Sequence, residues 1–478
     1  MVIYCSIIFY LQITYLIKES QRKMKHTNDL GKDRIITLVL RLAVPAMMAQ
    51  LVNVLYTVID RMFIGNIPVI GDVALAGIGI CAPIAEFIAS WGNLIGIGGS
   101  VYMAIKMGEG DNEKASRILS SCFQALIALS VALTVVFMVF RAPLISRLGA
   151  SSETFGYANE YLTIYIAGSI FAVMTIGMNY FVTCQGFAAT AMISVIIGAL
   201  TNIVLDWLLV FVLDMQVAGA AIATVIAQLC SCSWTMLFLF GRKVHIKIKK
   251  HKFSSNIIRK VCRIGFPAFI MYCTNSVIVI ILNVVLQKYG GAQMGDKLIT
   301  ASAIVQSYGL AILNPLGGIT AGASAVVSYN YGAKDYKRVI KAFNSITGVA
   351  VLFCSVMFVV SRIVPPYIAM LFTKDAEIAS LAQWGMKAYT LGLVPLAMHY
   401  SITDCLTAIG RSGTALCMSA FRKLSFVAMV CIIPLFALPQ MTFIAYSLSD
   451  SVCGLINTAA GIFIVKKIID REKMALTK

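Results

Sequence analysis

The chain has 478 residues, of which 59% are hydrophobic and only 13% are charged. A soluble protein of this length needs a polar surface that such a composition cannot supply, so the composition excludes an ordinary soluble globular protein. The formal net charge of +18 does not indicate a nucleic-acid partner, because the basic residues gather in particular connections between long apolar runs.

Those apolar runs predict the secondary structure. A helix that crosses the hydrocarbon core of a bilayer needs about 20 apolar residues, and runs of that length follow one another along nearly the whole chain. They predict an all-α membrane protein with about twelve transmembrane helices. The predicted spans are 37–64, 73–105, 118–140, 157–185, 188–213, 217–240, 261–287, 298–330, 338–363, 378–409, 413–437 and 440–466.

Residues 1–36 are predicted to form a cytoplasmic leader ahead of the first span. Val2–Ile17 is apolar but short for a span, and no cleavage site of small residues follows it. We expect translation to start at Met24, which would make 1–23 an overextended start. An interfacial anchor helix is the alternative interpretation.

Lys and Arg are distributed unevenly between the two ends of the predicted spans. Most of the 39 lie before the first span, in every second connection, and after the last span. This asymmetry predicts a plasma-membrane protein with both termini in the cytoplasm. It also predicts contact with anionic membrane lipid and no binding of nucleic acid.

The sequence repeats itself at a steady offset of 222 to 224 residues. Arg41–Ala46 parallels Arg263–Ala268 at 222, and Gly108 parallels Gly332 at 224. The repeat predicts two pseudo-symmetric lobes of six helices each. We assign 37–240 to the N-lobe, 241–260 to a basic cytoplasmic connection, 261–466 to the C-lobe and 467–478 to a cytoplasmic tail. Such duplication is common in secondary transporters, whose substrate sites lie near the bilayer midplane.

Motifs for other kinds of chemistry are missing from the sequence. It contains no GxxxxGK[ST] loop for phosphate, no HExxH motif and no CxxC pair. We therefore expect neither an enzyme nor an ATP-driven pump. We also expect no disulfide, no metal site and no cofactor other than a coupling ion.

Several acidic residues fall inside predicted spans, where a carboxylate is costly and by default functional, and two of them are the main candidates. Asp60 lies in the first span and Asp206 in the fifth. Tyr56 and Asp60 are four residues apart, as are Asn202 and Asp206, so each pair shares one helix face. We predict an ion or proton site inside the N-lobe. For Asp60, a simple role at the end of its helix is the alternative.

Pro45 lies in the first span and cannot donate a hydrogen bond to the carbonyl of Arg41. We predict that the first span bends at this hinge when the acidic site is neutralised. A static kink is the alternative.

The remaining charges inside predicted spans allow several interpretations. Asp404 and Arg422 are predicted to form a structural salt bridge, because buried charges persist when they are paired. Glu86 and Asp450 either line a cavity or face the interfacial region. His399 is predicted to be a packing residue.

These features together resemble the multidrug and toxic compound extrusion (MATE) family, particularly its MepA-like and DinF-like members. The resemblance covers Gly31 to Lys467. It rests on the repeat and on the following positions: Pro45 with Asp60 fifteen residues later, the turn that ends at Gly65, Asn202 with Asp206, and Ala223 with Thr224. A branch of the family carries a Glu in the seventh span. Residues 274–286 contain none, and Asp404 is not equated with that branch's acid in the tenth span.

The resemblance implies a V-shaped pair of lobes around a cavity that opens alternately to each side. It also implies a site for H⁺ or Na⁺ in the N-lobe. The implied ion-coupling residues are Asp60, Asn202, Asp206 and Thr224, with Tyr56 and Asn179 in the surrounding polar network.

The function implied is export of lipophilic or cationic small molecules by a monomer, in exchange for H⁺ or Na⁺. The alternative is a flippase for a lipid-linked saccharide, a member of the same superfamily. A flippase would need several basic residues in its cavity to hold a pyrophosphate, and only Arg422 and Lys423 are candidates.

Overall fold

The computed structural model describes residues 28–148, 150–373 and 375–476. Their regular secondary structure is helical, which confirms the predicted all-α fold. The proposed overextended start at 1–23 lies outside the described residues.

The first six spans form the N-lobe. Their bounds are Ile35–Gly65, Gly71–Gly108, Asn112–Arg147, Ser152–Thr183, Ala188–Asp206 with a π-helical continuation at Trp207–Val212, and Gln216–Phe240.

The C-lobe contains the other six spans. The seventh and eighth, Ser255–Gly291 and Met294–Gly332, follow each other with a break at Gly291, whose φ is 65°. The tenth span is made of two helices joined by a 3₁₀ turn. The remaining bounds are Tyr336–Ile363 for the ninth span, Pro365–Phe372 for a short helix, Ala376–Tyr389 and Leu393–Ala408 for the two parts of the tenth, Ser412–Phe436 for the eleventh and Ile444–Leu476 for the twelfth.

Eleven helices in the described chain are individually long and apolar enough to cross a membrane. The tenth span supplies the remaining crossing and brings the total to twelve, because its two helices together cover the predicted apolar run. Asn28 and Leu476 begin and end the described chain on the same side of the bundle, since the number of crossings is even. We call this side the basic face, because the connections rich in Lys and Arg lie there.

The two lobes start equivalent helices with equivalent residues. Asp111 accepts a hydrogen bond from Lys114 N at 2.9 Å, and Asp335 accepts one from Arg338 N at 3.0 Å. Asp335 follows Asp111 by 224 residues, and Arg338 follows Lys114 by the same distance in the sequence. An Asp in this position satisfies a free N–H group in the first helical turn. The repeat seen in the sequence is therefore a repeat of local structure.

The lobes meet along a pseudo-two-fold axis between the second and eighth spans. A Cβ added at Gly108 would lie 1.9 Å from Tyr329 O, and one added at Gly332 would lie 2.0 Å from Ile105 O. Ile105 and Tyr329 are themselves one repeat apart. Each lobe thus places a glycine against a carbonyl of the other lobe, and the two contacts are equivalent, as a two-fold axis requires.

Two further contacts flank this axis. A Cβ at Gly98 of the second span would lie 2.1 Å from Val261 O of the seventh, and one at Gly265 would lie 1.9 Å from Leu94 O. The first and eighth spans approach in a similar way, since a Cβ at Gly322 would lie 2.4 Å from Ala46 Cβ. These contacts lie in the halves of the helices nearest the basic face. The lobes are therefore packed together at that face.

The basic connection between the lobes follows the surface of the N-lobe. Ser116 donates to Lys247 O at 2.9 Å, and Gln124 donates to His251 O at 3.0 Å. Val244 and Ile246 are buried. This connection is therefore attached to the N-lobe up to the start of the seventh span.

Candidate functional site

Asp60 and Asp206 come together inside the N-lobe. Asp206 of the fifth span is fully buried, and its neighbour on the same helix face, Asn202, is 1% exposed. The carboxyl group of Asp60, from the first span, lies near that of Asp206, close enough for the two to interact electrostatically. The two acids thus converge from different helices inside the N-lobe, and their role as an ion or proton site stays a prediction.

The site presents several oxygen atoms, and the described residues offer them no matching donors. Both carboxylate oxygens of Asp206, Oδ1 of Asp60 and Oδ1 of Asn202 are buried, and none accepts a hydrogen bond from the residues that the structure describes. Buried polar oxygens without a donor are rare, and each is costly. Two neighbouring carboxylates also repel each other when both are ionised. A proton or a monovalent cation between them would relieve both costs.

Thr224 of the sixth span orients the amide of Asn202. Asn202 Nδ2 donates to Thr224 Oγ1 at 3.4 Å, and Thr224 Oγ1 donates to Ala220 O at 3.0 Å. With its nitrogen directed at Thr224, Asn202 leaves its oxygen as an acceptor. Thr224 therefore contributes by holding Asn202 in the orientation that offers an oxygen.

A change of helix type begins directly after Asp206. The fifth span is α-helical to Asp206 and π-helical over Trp207–Val212. Short π-helical segments are uncommon and occur often at functional sites. The sequence pattern did not predict this feature, because the apolar run is continuous through it.

Three tyrosines surround the acids. Tyr56 and Tyr161 both lie close enough to Asp60 to interact electrostatically with it, and Tyr161 lies near Thr224 as well. The rings of Tyr161 and Tyr165 stack at 6.2 Å with an angle of 10° between their planes. Sequence reasoning identified Tyr56 but missed the pair on the fourth span. Their four-residue spacing, which places both on one helix face, was the available signal.

Asn179 belongs to a different polar cluster. It donates to Ser194 Oγ at 2.8 Å and accepts from Thr235 Oγ1 at 3.0 Å. Ser194 precedes Asn202 by eight residues on the fifth span, which is about 12 Å along a helix. The prediction that Asn179 lies in the network around the acids is therefore wrong. It joins the fourth, fifth and sixth spans nearer the basic face.

Pro45 lies beside the contact between the first and eighth spans. It is inside the continuous helix Ile35–Gly65. A Cβ at Gly318 of the eighth span would lie 2.7 Å from Ala46 O, the carbonyl of the residue that follows Pro45. Bending of the first span at Pro45 would consequently act directly on the interface between the lobes.

The predicted salt bridge between Asp404 and Arg422 is wrong. Arg422 donates to Asp450 Oδ1 of the twelfth span at 2.7 Å, and its guanidinium carbon lies 5.9 Å from the centre of the Tyr400 ring. Arg422 is ten residues into its helix, about 15 Å from the connection to the tenth span, whereas Asp404 is four residues, about 6 Å, from it. The two charges lie at different depths.

The other intramembrane charges have distinct environments. Asp450 is buried against Arg422, so neither of the two interpretations considered for it is correct. The Glu86 side chain is solvent-accessible, and Arg61 and Tyr165 are close enough to interact with it electrostatically. His399 is buried with its Nδ1 at 3.2 Å from Asn457 Nδ2, as expected for a packing residue.

A family model named MatE matches the chain twice, over residues 45–208 and 267–433. The two matches correspond to the two lobes and together cover more than half of the chain. The chain belongs to the MatE family. The resemblance seen in the sequence is thereby confirmed.

Individual members of this family are similar along most of their length. A multidrug export protein named MepA from Staphylococcus aureus (strain NCTC 8325 / PS 47) is 26% identical over 447 residues, which cover 92% of this chain and 95% of that protein. The MepA protein of Staphylococcus haemolyticus (strain JCSC1435) is 27% identical over 390 residues, which cover 80% and 84% of the two chains.

Solved structures show the same fold. An outward-facing multidrug resistance MATE family transporter of the MOP superfamily superimposes with a TM-score of 0.87 at 21% identity, covering 94% of this chain and all of the other. A MOP superfamily transporter from Pyrococcus furiosus Vc1 gives a TM-score of 0.86 at 21% identity, with 92% and 99% coverage. These proteins are described as transporters and not as enzymes.

Proposed function

We propose that this MatE protein exports lipophilic or cationic small molecules across the plasma membrane in exchange for H⁺ or Na⁺. The names of the MepA relatives support the substrate class. The geometry of the N-lobe supports the exchange. We further propose that it acts as a monomer, with no partner other than substrate and membrane lipid.

The observation that carries this proposal is the meeting of Asp60 and Asp206. The two carboxylates come from different helices of the N-lobe. Among the described residues, no donor reaches Oδ1 of Asp60, either carboxylate oxygen of Asp206 or Oδ1 of Asn202. A hard monovalent cation prefers such oxygen ligands, and a proton needs only one carboxylate pair. Either ion would remove the repulsion between the acids.

Exchange follows if the ion favours one arrangement of the lobes. A ligand shifts a conformational equilibrium only by its difference in affinity between the two states. An ion held between the first and fifth spans has such a difference if one span moves relative to the other. Pro45 removes one backbone hydrogen bond from the first span, and it lies beside the contact with the eighth span. Ion entry would bend the first span and alter the packing of the lobes at the basic face.

Charge explains why ion and substrate would alternate. When both carboxylates are ionised, the N-lobe carries a negative site in a low-dielectric environment, which attracts a cationic substrate. Binding of H⁺ or Na⁺ neutralises that site and weakens the attraction. Uptake of the ion and release of the substrate are thus coupled.

The distribution of basic residues supports an orientation. Because Lys and Arg concentrate on the basic face, we assign this face to the cytoplasm. Both termini are then cytoplasmic, and the half of the molecule that contains Asp60 lies towards the outside.

The test is substrate movement in vesicles reconstituted with purified protein, driven by an imposed pH or sodium gradient. Asp206→Asn keeps the size of the side chain and removes its charge, so gradient-driven transport of a fluorescent cation should be lost. Asp214→Asn is the matched control. Asp214 is exposed, lies on the same segment, and has a φ of 51°, which Asn tolerates well. Wild-type transport by folded Asp206→Asn protein would refute the proposal.

The flippase alternative is disfavoured by the partners of the two basic residues on which it depends. Arg422 is paired with Asp450, and Lys423 donates to Met271 O and Asn275 Oδ1, both at 2.6 Å. A pyrophosphate would have to compete with these partners. The same reconstituted vesicles can be tested for movement of a lipid-linked saccharide.

A further inference from the structure

A cleft of about 500 Å³ opens at the basic face between the first and ninth spans. Three basic side chains line it, together with Asn344, Ser345 and two isoleucines. Arg34 precedes the first span of the N-lobe, whereas Arg338 and Lys341 belong to the ninth span of the C-lobe. The cleft therefore lies between the lobes, far from the acidic site.

Within the described part of the chain, the cleft has a surplus of basic side chains. Among the described residues, none of these three basic side chains forms an ion pair. Two acids beside these residues in the chain have other partners: Asp33 Oδ2 lies 3.7 Å from Arg41 Nη1, and Asp335 accepts a hydrogen bond from Arg338 N. Three cations around one cleft, without an ion pair to a described acid, favour an anion that carries several acceptor oxygens, such as a phosphate group.

One of the three cations is held in place. Arg338 Nε donates to Asn330 Oδ1 at 2.9 Å, and its Nη2 donates to Asp33 O at 2.8 Å and to Leu30 O at 3.3 Å. These bonds fix the guanidinium before any ligand arrives, which lowers the entropy that binding would cost. They also tie the segment before the first span to the C-lobe.

An apolar track runs from the cleft towards the centre of the membrane. On the first span, Ile36 lines the cleft, and Ile36, Leu40 and Val44 are 39%, 42% and 45% exposed at four-residue intervals. On the ninth span, Leu352 is 66% exposed and follows Ser345, which lines the cleft, by two helical turns. A ligand that fits both parts has an anionic head and an acyl chain.

We propose that this cleft binds an anionic phospholipid from the leaflet at the basic face. The phosphate head contacts Arg34, Arg338 and Lys341, and an acyl chain lies along the apolar track. Since the basic residues come from both lobes, the lipid completes its contacts only when the lobes are together at this face. It therefore stabilises the state closed at the basic face over the open one.

The experiment measures the Tm of detergent-purified protein during titration with phosphatidylglycerol. Phosphatidylcholine with the same acyl chains and glycerol 3-phosphate are titrated separately. Phosphatidylglycerol should raise the Tm, and neither of the other compounds should do so at the same concentration. In Arg34→Gln/Lys341→Gln, the apparent affinity for phosphatidylglycerol should fall at least about ten-fold, because two of the three basic contacts to the phosphate are removed.

The matched control is Lys32→Gln/Lys337→Gln, which removes the same charge from exposed positions next to the cleft. It should keep the wild-type response. An equal loss of response in this control would overturn the proposal in favour of general surface charge. An equal Tm rise with phosphatidylcholine would overturn the role of the anionic head. A Tm rise with glycerol 3-phosphate would assign the cleft to a soluble phosphate and not to a lipid. If the cleft variant is unstable, phosphatidylglycerol retained by wild type in native mass spectrometry decides the question, and its absence refutes the site.

Discussion

Replacing Asp450 by Asn should destabilise the C-lobe. Arg422 donates to Asp450 at 2.7 Å, and the two side chains are only 20% and 6% exposed. Asn fits the same space but leaves the guanidinium buried without its countercharge. Loss of one partner of a buried ion pair costs about 3–5 kcal/mol. Because one fifth of the Arg422 side chain is exposed, water offsets part of this cost, and we expect the lower end, about 3 kcal/mol.

Replacing Arg422, the other partner of this ion pair, should lower the stability further. Arg422→Met leaves the better-buried carboxylate unpaired and also removes the guanidinium from the ring of Tyr400. A cation over an aromatic ring contributes about 0.5–2 kcal/mol, so we expect a loss of about 4 kcal/mol in total. The double variant Arg422→Met/Asp450→Leu removes both charges. Its loss should be smaller than the sum of the single losses by about 2 kcal/mol or more.

Thermal unfolding in detergent micelles measures these effects. A unit of about 150–250 residues loses about 2–4 °C of Tm per kcal/mol, so Asp450→Asn should melt about 6–12 °C below wild type. The control is Arg117→Gln, which breaks a pair with Glu113 whose side chains are 57% and 69% exposed. It should cost at most about 0.5 kcal/mol. If Asp450→Asn has the same Tm as wild type, or if the loss of stability in the double variant equals the sum of the two single losses, the ion pair does not stabilise the lobe.

Three further predictions concern transport and the interface between the lobes. Thr224→Val should reduce sodium-driven transport more than proton-driven transport in reconstituted vesicles, because it releases the amide of Asn202. The oxygen of this amide would bind a metal ion but is not needed for a proton, so equal losses would contradict this role. Gly98→Ala should separate the second and seventh spans and increase labelling of Cys262, measured by peptide mass spectrometry, because its Cβ would lie 2.1 Å from Val261 O. Gly348→Ala has open space and should label as wild type; unchanged labelling in Gly98→Ala would contradict the close packing of the lobes at the basic face. Pro45→Ala should slow gradient-driven efflux while equilibrium binding of the fluorescent cation stays near wild type; a parallel loss of binding and Tm would indicate a static kink.

The sequence alone was sufficient to predict the twelve crossings and the duplication. Apolar length is a property of each segment by itself, because the bilayer and not the rest of the chain sets how many residues must be buried. The repeat was visible because equivalent positions such as Gly108 and Gly332 make equivalent close contacts across a two-fold axis, and both contacts require glycine. Asp60 and Asp206 stood out for the same local reason, since a carboxylate is costly in any apolar run.

Only the tertiary structure decided which groups meet. Partners depend on the depth and rotation of each helix, and these are set by packing between helices rather than by the sequence of either one. The structure consequently paired Arg422 with Asp450 instead of Asp404, and it placed Asn179 with Ser194 instead of with the acids. The cleft that joins Arg34 to the ninth span is likewise a product of packing, because its basic residues come from opposite lobes and are about 300 residues apart in the chain.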